Sequence, residues 1–267
     1  MTKKDKSSDQ HFMVDKKFID IILEYANLNK DDLVLELGGG DGALTRCLYG
    51  MVKFVYVIEK DPEFYNELNR RFTNDNIKII HGDALYVDLP EFNKLISNPP
   101  YQILEQFFIR LVKENRYNFE LGVFTVPSRF KGLITTQPQS KNFGLISALF
   151  YSFFDVEVLD KVSKDAFDPK PRVSSYIIRI KPSEQDTILK KMIFEGFKSE
   201  SKKVKNVVID TLWNYKSEEH SFTRKQAKEV SQSIFKEFDS DFLEKTVYSF
   251  SKEEFRKFCS AIQKLEI

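Results

Sequence analysis

The chain has 267 residues, enough for one large domain or for one domain with a smaller companion. Its 41 Lys and Arg residues balance its 40 Asp and Glu residues, and the net charge of +1 excludes a globally basic surface for binding nucleic acid. Two distant cysteines and three scattered histidines give no disulfide scaffold and no metal-ligand spacing, so we expect a reducing, cytoplasmic location and no bound metal.

The N-terminus, residues 1–9, is charged and polar, and no apolar segment follows it. It is therefore predicted to be a flexible leader rather than a signal peptide. The most apolar stretch, Leu145 to Phe154, is about half the length of the roughly 20 residues that cross a bilayer. It is more typical of a buried helix that passes into a strand, so we expect no membrane segment.

The first half of the chain alternates helices with buried strands. Helical spacing covers 18–26, 43–49, 62–72 and 102–113, and apolar runs typical of strands cover 33–37, 54–59, 77–80, 94–97 and 121–126. The segment 33–59 forms a βαβ unit, which predicts a parallel sheet. Because ligands collect at the carboxyl ends of parallel strands, the polar turns that follow these strands should meet at one site.

The second half completes the sheet and then changes character. A helix is predicted near 144–150, and two further strands are predicted at 155–159 and 174–180. Charged helical segments follow at 187–197, 202–213, 223–235 and 252–265. We therefore predict an α/β domain over residues 1–181 and a small all-helical domain over 182–267.

A glycine-rich turn and an acidic residue indicate a nucleotide-like cofactor. Gly38 to Gly42 follow a strand and precede a helix, where backbone N–H groups can approach a ligand closely. Glu59 ends the next strand, where a carboxylate can accept hydrogen bonds from ribose hydroxyls. These features fit NAD as well as S-adenosylmethionine. Asp83, in the turn after the third strand, favours S-adenosylmethionine because it can accept a hydrogen bond from that cofactor's adenine amine.

The string Asn98-Pro99-Pro100-Tyr101 suits methylation of an amino nitrogen whose lone pair is delocalised. The Asn98 side-chain oxygen and the Pro99 carbonyl can each accept an N–H bond and so free the lone pair for attack. Proline fixes the backbone that presents this carbonyl. Tyr101 offers a ring face, and stacking of a base on it is worth roughly 1–3 kcal/mol. Adenine N6 and a carboxamide nitrogen are both possible targets at this point.

Several segments together resemble the KsgA-type ribosomal RNA adenine dimethyltransferases, the family that includes the Erm methyltransferases. In chain order these segments are 10–13, 35–40, Glu59, 82–84, 98–101 and 166–175, whose Phe-x-Pro-x-Pro-x-Val-x-Ser pattern is the most discriminating. The resemblance implies a Rossmann-like class I methyltransferase sheet. It also implies the dimethylation of adenines in small-subunit ribosomal RNA during ribosome biogenesis, by a monomer that acts on the immature subunit.

The resemblance also implies roles for individual residues. The catalytic residues are Asn98, Pro99 and Tyr101, and Tyr101 with Phe167 would hold the two faces of the target adenine. The residues expected to bind S-adenosylmethionine are His11, Met13, Gly38, Gly40, Glu59, Asp83, Ala84 and Asn98. The target base would be flipped out of its RNA context. A local basic surface would grip the RNA, with candidates Lys198, Lys202, Lys203, Lys205, Arg224, Lys225 and Lys228 in the helical domain.

The chain departs from this family at three places. Pro99 stands where the family has leucine, residues 126–130 replace a more polar pattern, and Leu145 stands where a basic residue is usual. The first change brings the motif close to that of DNA adenine and protein glutamine methyltransferases, which remain alternative functions. A non-catalytic RNA-binding assembly or transcription factor on the same fold is a further alternative.

Overall fold

The computed structural model describes residues 11–116, 119–183, 186–217 and 222–264. The leader predicted for residues 1–9 lies outside these ranges. By its internal contacts the chain divides into two compact units, one within Met1–Gly132 and Phe154–Pro182, the other within Leu133–Phe153 and Ser183–Ile267. The second unit thus takes in residues 133–153, which the sequence analysis grouped with the sheet.

The first unit is built on a seven-stranded sheet. The strands of the chain are β1 (Phe12–Met13), β2 (Leu33–Leu37), β3 (Phe54–Glu59), β4 (Ile77–His81), β5 (Lys94–Ser97), β6 (Leu121–Pro127), β7 (Phe154–Val162), β8 (Phe167–Asp168) and β9 (Ser175–Pro182). The order across the sheet is β4-β3-β2-β5-β6-β9-β7. Strands β2 to β6 run parallel, and β9 is antiparallel to β6 and β7. The predicted parallel sheet is confirmed.

Continuous apolar runs produce this arrangement, because the central parallel strands are covered on both faces. Val34 and Leu35 of β2 are fully buried, as are Val55 and Val57 of β3. The short strands β1 and β8 pair with each other outside the large sheet, antiparallel, with Met13 opposite Phe167. This pairing holds the N-terminal segment against the Phe-x-Pro segment.

The helices are α1 (Lys16–Ala26), α2 (Thr45–Leu48), α3 (Pro62–Arg71), α4 (Leu104–Lys113), α5 (Ser128–Ile134), α6 (Leu145–Phe153), α7 (Thr187–Gly196), α8 (Val204–Ser217), α9 (Arg224–Phe235), α10 (Ser240–Glu244) and α11 (Lys252–Gln263). Helix α3 begins directly after β3. The Asp61 side chain caps it by accepting from the backbone N–H groups of Glu63 and Phe64, and Pro62 occupies its first turn.

The second unit is helical and has an aromatic core. Phe143 contacts Phe197 and Phe255 edge-on, and Phe250 lies against Phe242 and Phe258. Edge-on and offset ring pairs of this kind add about 0.5–1.5 kcal/mol each beyond the burial of their area. Much of the abundant phenylalanine of this unit therefore serves packing. In the part of the chain that the structure describes, no helix is long and apolar enough to cross a membrane.

Candidate active site

The carboxyl ends of β2, β3 and β5 border one cavity, which brings together most of the residues predicted to bind cofactor. Of that set, His11, Met13, Gly38, Gly40, Glu59 and Asn98 line it. Pro99 and Tyr101, the other predicted catalytic residues, line it as well. This convergence follows from parallel strands, whose carboxyl ends lie at one edge of the sheet.

The glycine-rich turn follows β2, and the segment 98–101, called the catalytic loop below, follows β5. Hydrogen bonds connect the two where they begin. The Ser97 hydroxyl donates to the Leu37 carbonyl at 2.7 Å and accepts from the Leu37 N–H at 3.2 Å. Ser97 is fully buried. Gly38 and Gly40 then turn with φ values of +71° and +52°, a left-handed conformation that glycine adopts without steric cost. The end of β5 therefore fixes the position at which the glycine-rich turn begins.

Glu59 lies at the end of β3 with both carboxylate oxygens in hydrogen bonds. One oxygen accepts from the Gly40 N–H at 2.9 Å, and the other accepts from the Asp61 N–H at 2.8 Å. Burial raises the pKa of Glu59, although these backbone donors oppose the shift. Each oxygen keeps a lone pair that can accept a ligand hydroxyl.

A second carboxyl group, that of Glu36, faces the same cavity from β2. Burial raises its pKa to about 8, against the lowering effect of a 2.7 Å hydrogen bond donated by the Thr45 hydroxyl. Asp41 also lines the cavity, whereas no lysine or arginine is among its described lining residues. The cavity therefore carries three carboxyl groups, and of these the Glu36 group is mostly protonated at neutral pH.

The amide of Asn98 is held at both ends. Its Nδ2 donates to the backbone carbonyl of His11 at 2.9 Å, and its Oδ1 accepts from the Thr125 hydroxyl. Thr125 is fully buried in β6. The oxygen that would receive the target amine is thus fixed by a residue from the neighbouring strand and by the segment that precedes β1.

Tyr101 lies where this cavity meets a second one, an open groove. The groove is lined by His11 and Tyr101, which the two cavities share, and by Glu105, Arg129 and the segment 169–173 among others. The rings of His11 and Tyr101 are 6.1 Å apart and tilted by 46°, and His11 Nδ1 lies 2.9 Å from the Pro169 carbonyl oxygen. The Tyr101 hydroxyl is 2.6 Å from the hydroxyl of buried Ser175.

Asp83 and Ala84, also predicted to bind cofactor, are not among the residues that line the cavity. Their turn starts beside it, because the Gly82 N–H donates to the Glu59 carbonyl at 2.9 Å. Burial raises the pKa of Asp83, but the Leu85 N–H and the Lys60 ammonium, 2.9 Å away, outweigh that effect and lower it. The predicted contact of Asp83 with the cofactor's adenine would therefore compete with an ion pair.

Phe167 lies in the core of the described structure. Its side chain is 2% exposed and belongs to the core cluster that includes Met13 and Ile177. It lines neither the cavity nor the groove, because β8 pairs with β1 and turns the Phe167 ring into the core. That Phe167 and Tyr101 hold the two faces of the target base stays a prediction.

Three residues of the site were not predicted from sequence. Glu36 was noted only within the strand and glycine-rich segment, Thr125 only within a predicted strand, and Ser175 only within a predicted strand and as the last residue of the Phe-x-Pro-x-Pro-x-Val-x-Ser pattern. For Glu36 and Thr125 a signal was present, since a lone carboxylate or hydroxyl within a buried apolar strand must find a partner. The sequence does not say which partner that is.

Comparisons with known proteins identify the family of this chain. A family model described as "Ribosomal RNA adenine dimethylase" matches residues 1–246. A protein of Methanosarcina barkeri named "Probable ribosomal RNA small subunit methyltransferase A" is 37% identical over 210 residues, which are 76% of this chain and 72% of that protein. A Methanococcus vannielii protein of the same name is 32% identical over 248 residues, 89% of each chain.

Two solved structures share the fold. A dimethyladenosine transferase from Plasmodium falciparum matches with a TM-score of 0.71 and 21% identity, over 93% of this chain and 96% of that one. The 23S ribosomal RNA methyltransferase ErmE matches with a TM-score of 0.61 and 20% identity, over 95% of this chain and all of that one. The Rossmann-like methyltransferase sheet with added helices, expected from the sequence, is confirmed.

Proposed function

The chain belongs to the ribosomal RNA adenine dimethylase family, and we propose that it places two methyl groups on N6 of adenines in small-subunit ribosomal RNA. One observation supports this most strongly. The segment Asn98 to Tyr101 lies between a cavity lined by carboxyl groups and an open groove with basic residues. Such a segment can receive a methyl donor from one side and a nucleobase from the other.

The cavity fits S-adenosylmethionine better than NAD. Asp41 and Glu59 face it while no lysine or arginine is among its described lining residues, and a dinucleotide would bring an anionic pyrophosphate towards these carboxyl groups. S-adenosylmethionine carries a sulfonium and an ammonium group and, when bound, supplies an electrophilic methyl group. Glu59 would accept its ribose hydroxyls, and the Gly38–Gly40 turn would allow close backbone approach.

The catalytic loop would act on the target amine by position and electrostatics. Asn98 Oδ1 and the Pro99 carbonyl would each accept one N–H of adenine N6, which turns the nitrogen lone pair towards the cavity. Tyr101 would stack on the base. No strong general base is needed, because the methylated nitrogen is acidic enough to lose its proton to water. The contribution of these residues is orientation and a polar environment that is already in place.

The lysines first proposed to grip RNA are mostly engaged in ion pairs. Acidic partners within the helical unit bind Lys198, Lys202, Lys203, Lys205 and Arg224. RNA phosphates would have to compete with these carboxylates. Arg129 and Arg172 at the groove are exposed, and Arg129 is only loosely paired with Glu105 at 3.9 Å. We propose that these two residues contact the phosphates next to the target base.

The alternatives that target DNA or a protein glutamine are not favoured, because the family model and the curated relatives concern ribosomal RNA. A non-catalytic role is also disfavoured, since the chain belongs to a family of enzymes and keeps Asn98. Monomeric action on an immature subunit in the cytoplasm stays part of this proposal.

The decisive experiment is a methyl-transfer assay with labelled S-adenosylmethionine and small ribosomal subunits from a strain that lacks this modification. After digestion of the RNA, N6,N6-dimethyladenosine should carry the label. Label in protein or DNA alone would refute the proposal. Asn98→Ala should abolish transfer to RNA while cofactor affinity stays within about threefold, because the mutation removes a group that acts mainly in the transition state.

A further inference from the structure

We propose that Thr125 and Ser175 are positioning residues, whose buried hydroxyl groups fix Asn98 and Tyr101 by hydrogen bonds. The proposal rests on the function proposed above and extends it to two residues in adjacent strands of the sheet. Thr125 lies in β6 opposite Ile177 of β9, and Ser175 is two residues before Ile177 on the same face. Both side chains are fully buried, directly beneath the catalytic loop.

The direction of the hydrogen bond between Thr125 and Asn98 follows from the His11 carbonyl. This group is an acceptor only, so the atom of the Asn98 amide that faces it, at 2.9 Å, must be the nitrogen. A flipped amide would place two acceptor oxygens against each other. Asn98 Oδ1 therefore faces the Thr125 hydroxyl, which must donate to it.

The Thr125 hydroxyl has one proton and uses it on Asn98. The Tyr101 hydroxyl lies 2.6 Å from the hydroxyl of Ser175, and either group can be the donor of that hydrogen bond. Thr125 thus holds the amide of the catalytic loop, and Ser175 holds its phenol.

Two consequences for the reaction follow from these hydrogen bonds. Asn98 Oδ1 has one lone pair left, so it can accept one N–H of the target amine, and the second N–H falls to the Pro99 carbonyl. The Tyr101 hydroxyl is hydrogen-bonded to Ser175, so Tyr101 offers its ring face to the base. The orientation of both groups is set before substrate binds.

The experiment compares Thr125→Val, which removes the hydroxyl and keeps the shape, with Thr125→Ser, which keeps the hydroxyl. We expect the valine variant to lower the single-turnover rate constant for methyl transfer by about 10- to 100-fold, because small displacements of aligned groups have effects of this size. The dissociation constants for S-adenosylmethionine and RNA should stay within about twofold, and serine should restore most of the lost rate.

A double-mutant cycle tests the role of Ser175. Tyr101→Phe keeps the ring and removes the hydroxyl that is hydrogen-bonded to Ser175. If Ser175 acts through this hydroxyl, the combined Ser175→Ala, Tyr101→Phe protein should lose little more rate than Tyr101→Phe alone. Independent losses that multiply would contradict the role of Ser175.

Thr211→Val is the matched control. Thr211 is a buried threonine of the helical unit whose hydroxyl has no hydrogen-bond partner among the described residues, so its replacement should leave the rate unchanged. A Thr125→Val enzyme with the wild-type rate would overturn the inference, as would equal losses in the valine and serine variants. If the wild-type protein itself transfers no methyl group to ribosomal RNA, the proposed function fails instead.

Discussion

A Cβ atom added to Gly38 would lie 2.9 Å from Cδ of Pro100. Real Cβ atoms do not approach another carbon so closely, and the Pro100 ring cannot bend away as a flexible side chain would. The glycine-rich turn and the catalytic loop are therefore in contact through Gly38 and Pro100. A substitution at either residue should disturb both the turn and the loop.

Gly38→Ala should impair cofactor binding and catalysis together. Its φ of +71° costs an alanine roughly 1–2 kcal/mol, and the contact with Pro100 adds to this. We expect a clear loss of thermal stability and weaker binding of S-adenosylmethionine in calorimetry. Gly50→Ala is the control, because a Cβ there meets no atom within 4 Å. Equal thermal stability and equal S-adenosylmethionine affinity of the two variants would show that the contact is unimportant.

The stability of the cofactor-free protein should depend on pH through Glu36. Burial raises the pKa of this carboxyl from 4.5 to about 8, so between these values the folded protein binds more protons than the unfolded chain. The free energy of unfolding should therefore fall as pH rises through this window, by up to about 1.4 kcal/mol per pH unit. Urea titrations at several pH values measure this slope.

Glu36→Gln provides the comparison for that measurement. The amide does not titrate, and its oxygen can still accept from the Thr45 hydroxyl, so the slope should become shallower. The raised pKa of Glu59 contributes a slope of the same sign, which should remain in both proteins. If the free energy of unfolding depends on pH with the same slope in wild type and variant, Glu36 is ionised in the folded protein at neutral pH.

Phe167→Leu separates core packing from base stacking. If the ring serves the core, as its 2% exposure indicates, the substitution should lower stability by about 1 kcal/mol and leave the KM for RNA unchanged. Tyr101→Leu should raise the KM for RNA and change stability little, because the Tyr101 ring lies at the groove. A raised KM for RNA in Phe167→Leu would restore the stacking role that the sequence suggested.

Arg129 and Arg172 should dominate the salt dependence of RNA binding. Changing both to glutamine should make the slope of log K against log salt shallower by about 1–2 units, since each phosphate contact contributes somewhat less than one unit. Lys225 and Lys228 are exposed and belong to the surface first predicted from sequence. If the glutamine variants of these lysines give the larger change, the helical unit is the main RNA contact.

The sheet was predictable because its strands are apolar runs separated by polar turns. The match between predicted and observed strands is close for 33–37, 54–59 and 94–97. The two-residue strands β1 and β8 were not predicted, because a pairing this short has no periodicity. Helices α5 and α10 were missed for a similar reason, since seven and five residues contain at most two turns.

The site was predictable where a residue type dictates its chemistry, as at Asn98 and Glu59. The sequence could not show which atoms these residues already bind. The Thr125 donor to Asn98 comes from another strand, and the Lys60 partner of Asp83 follows Glu59 in a different turn. Phe167 illustrates the same limit, because strand pairing decides whether an aromatic ring faces a groove or the core.

The pairing of β1 with β8 also bears on how the protein is made. Phe12 and Met13 form part of the cofactor cavity's wall, yet their partner strand is encoded far along the chain. Domains generally begin to fold during synthesis from the N-terminal side. On a translating ribosome, strands β2 to β6 can assemble while this wall is still without its partner. An enzyme that modifies ribosomal RNA would thus gain its own cofactor site only once most of its sheet unit has been translated.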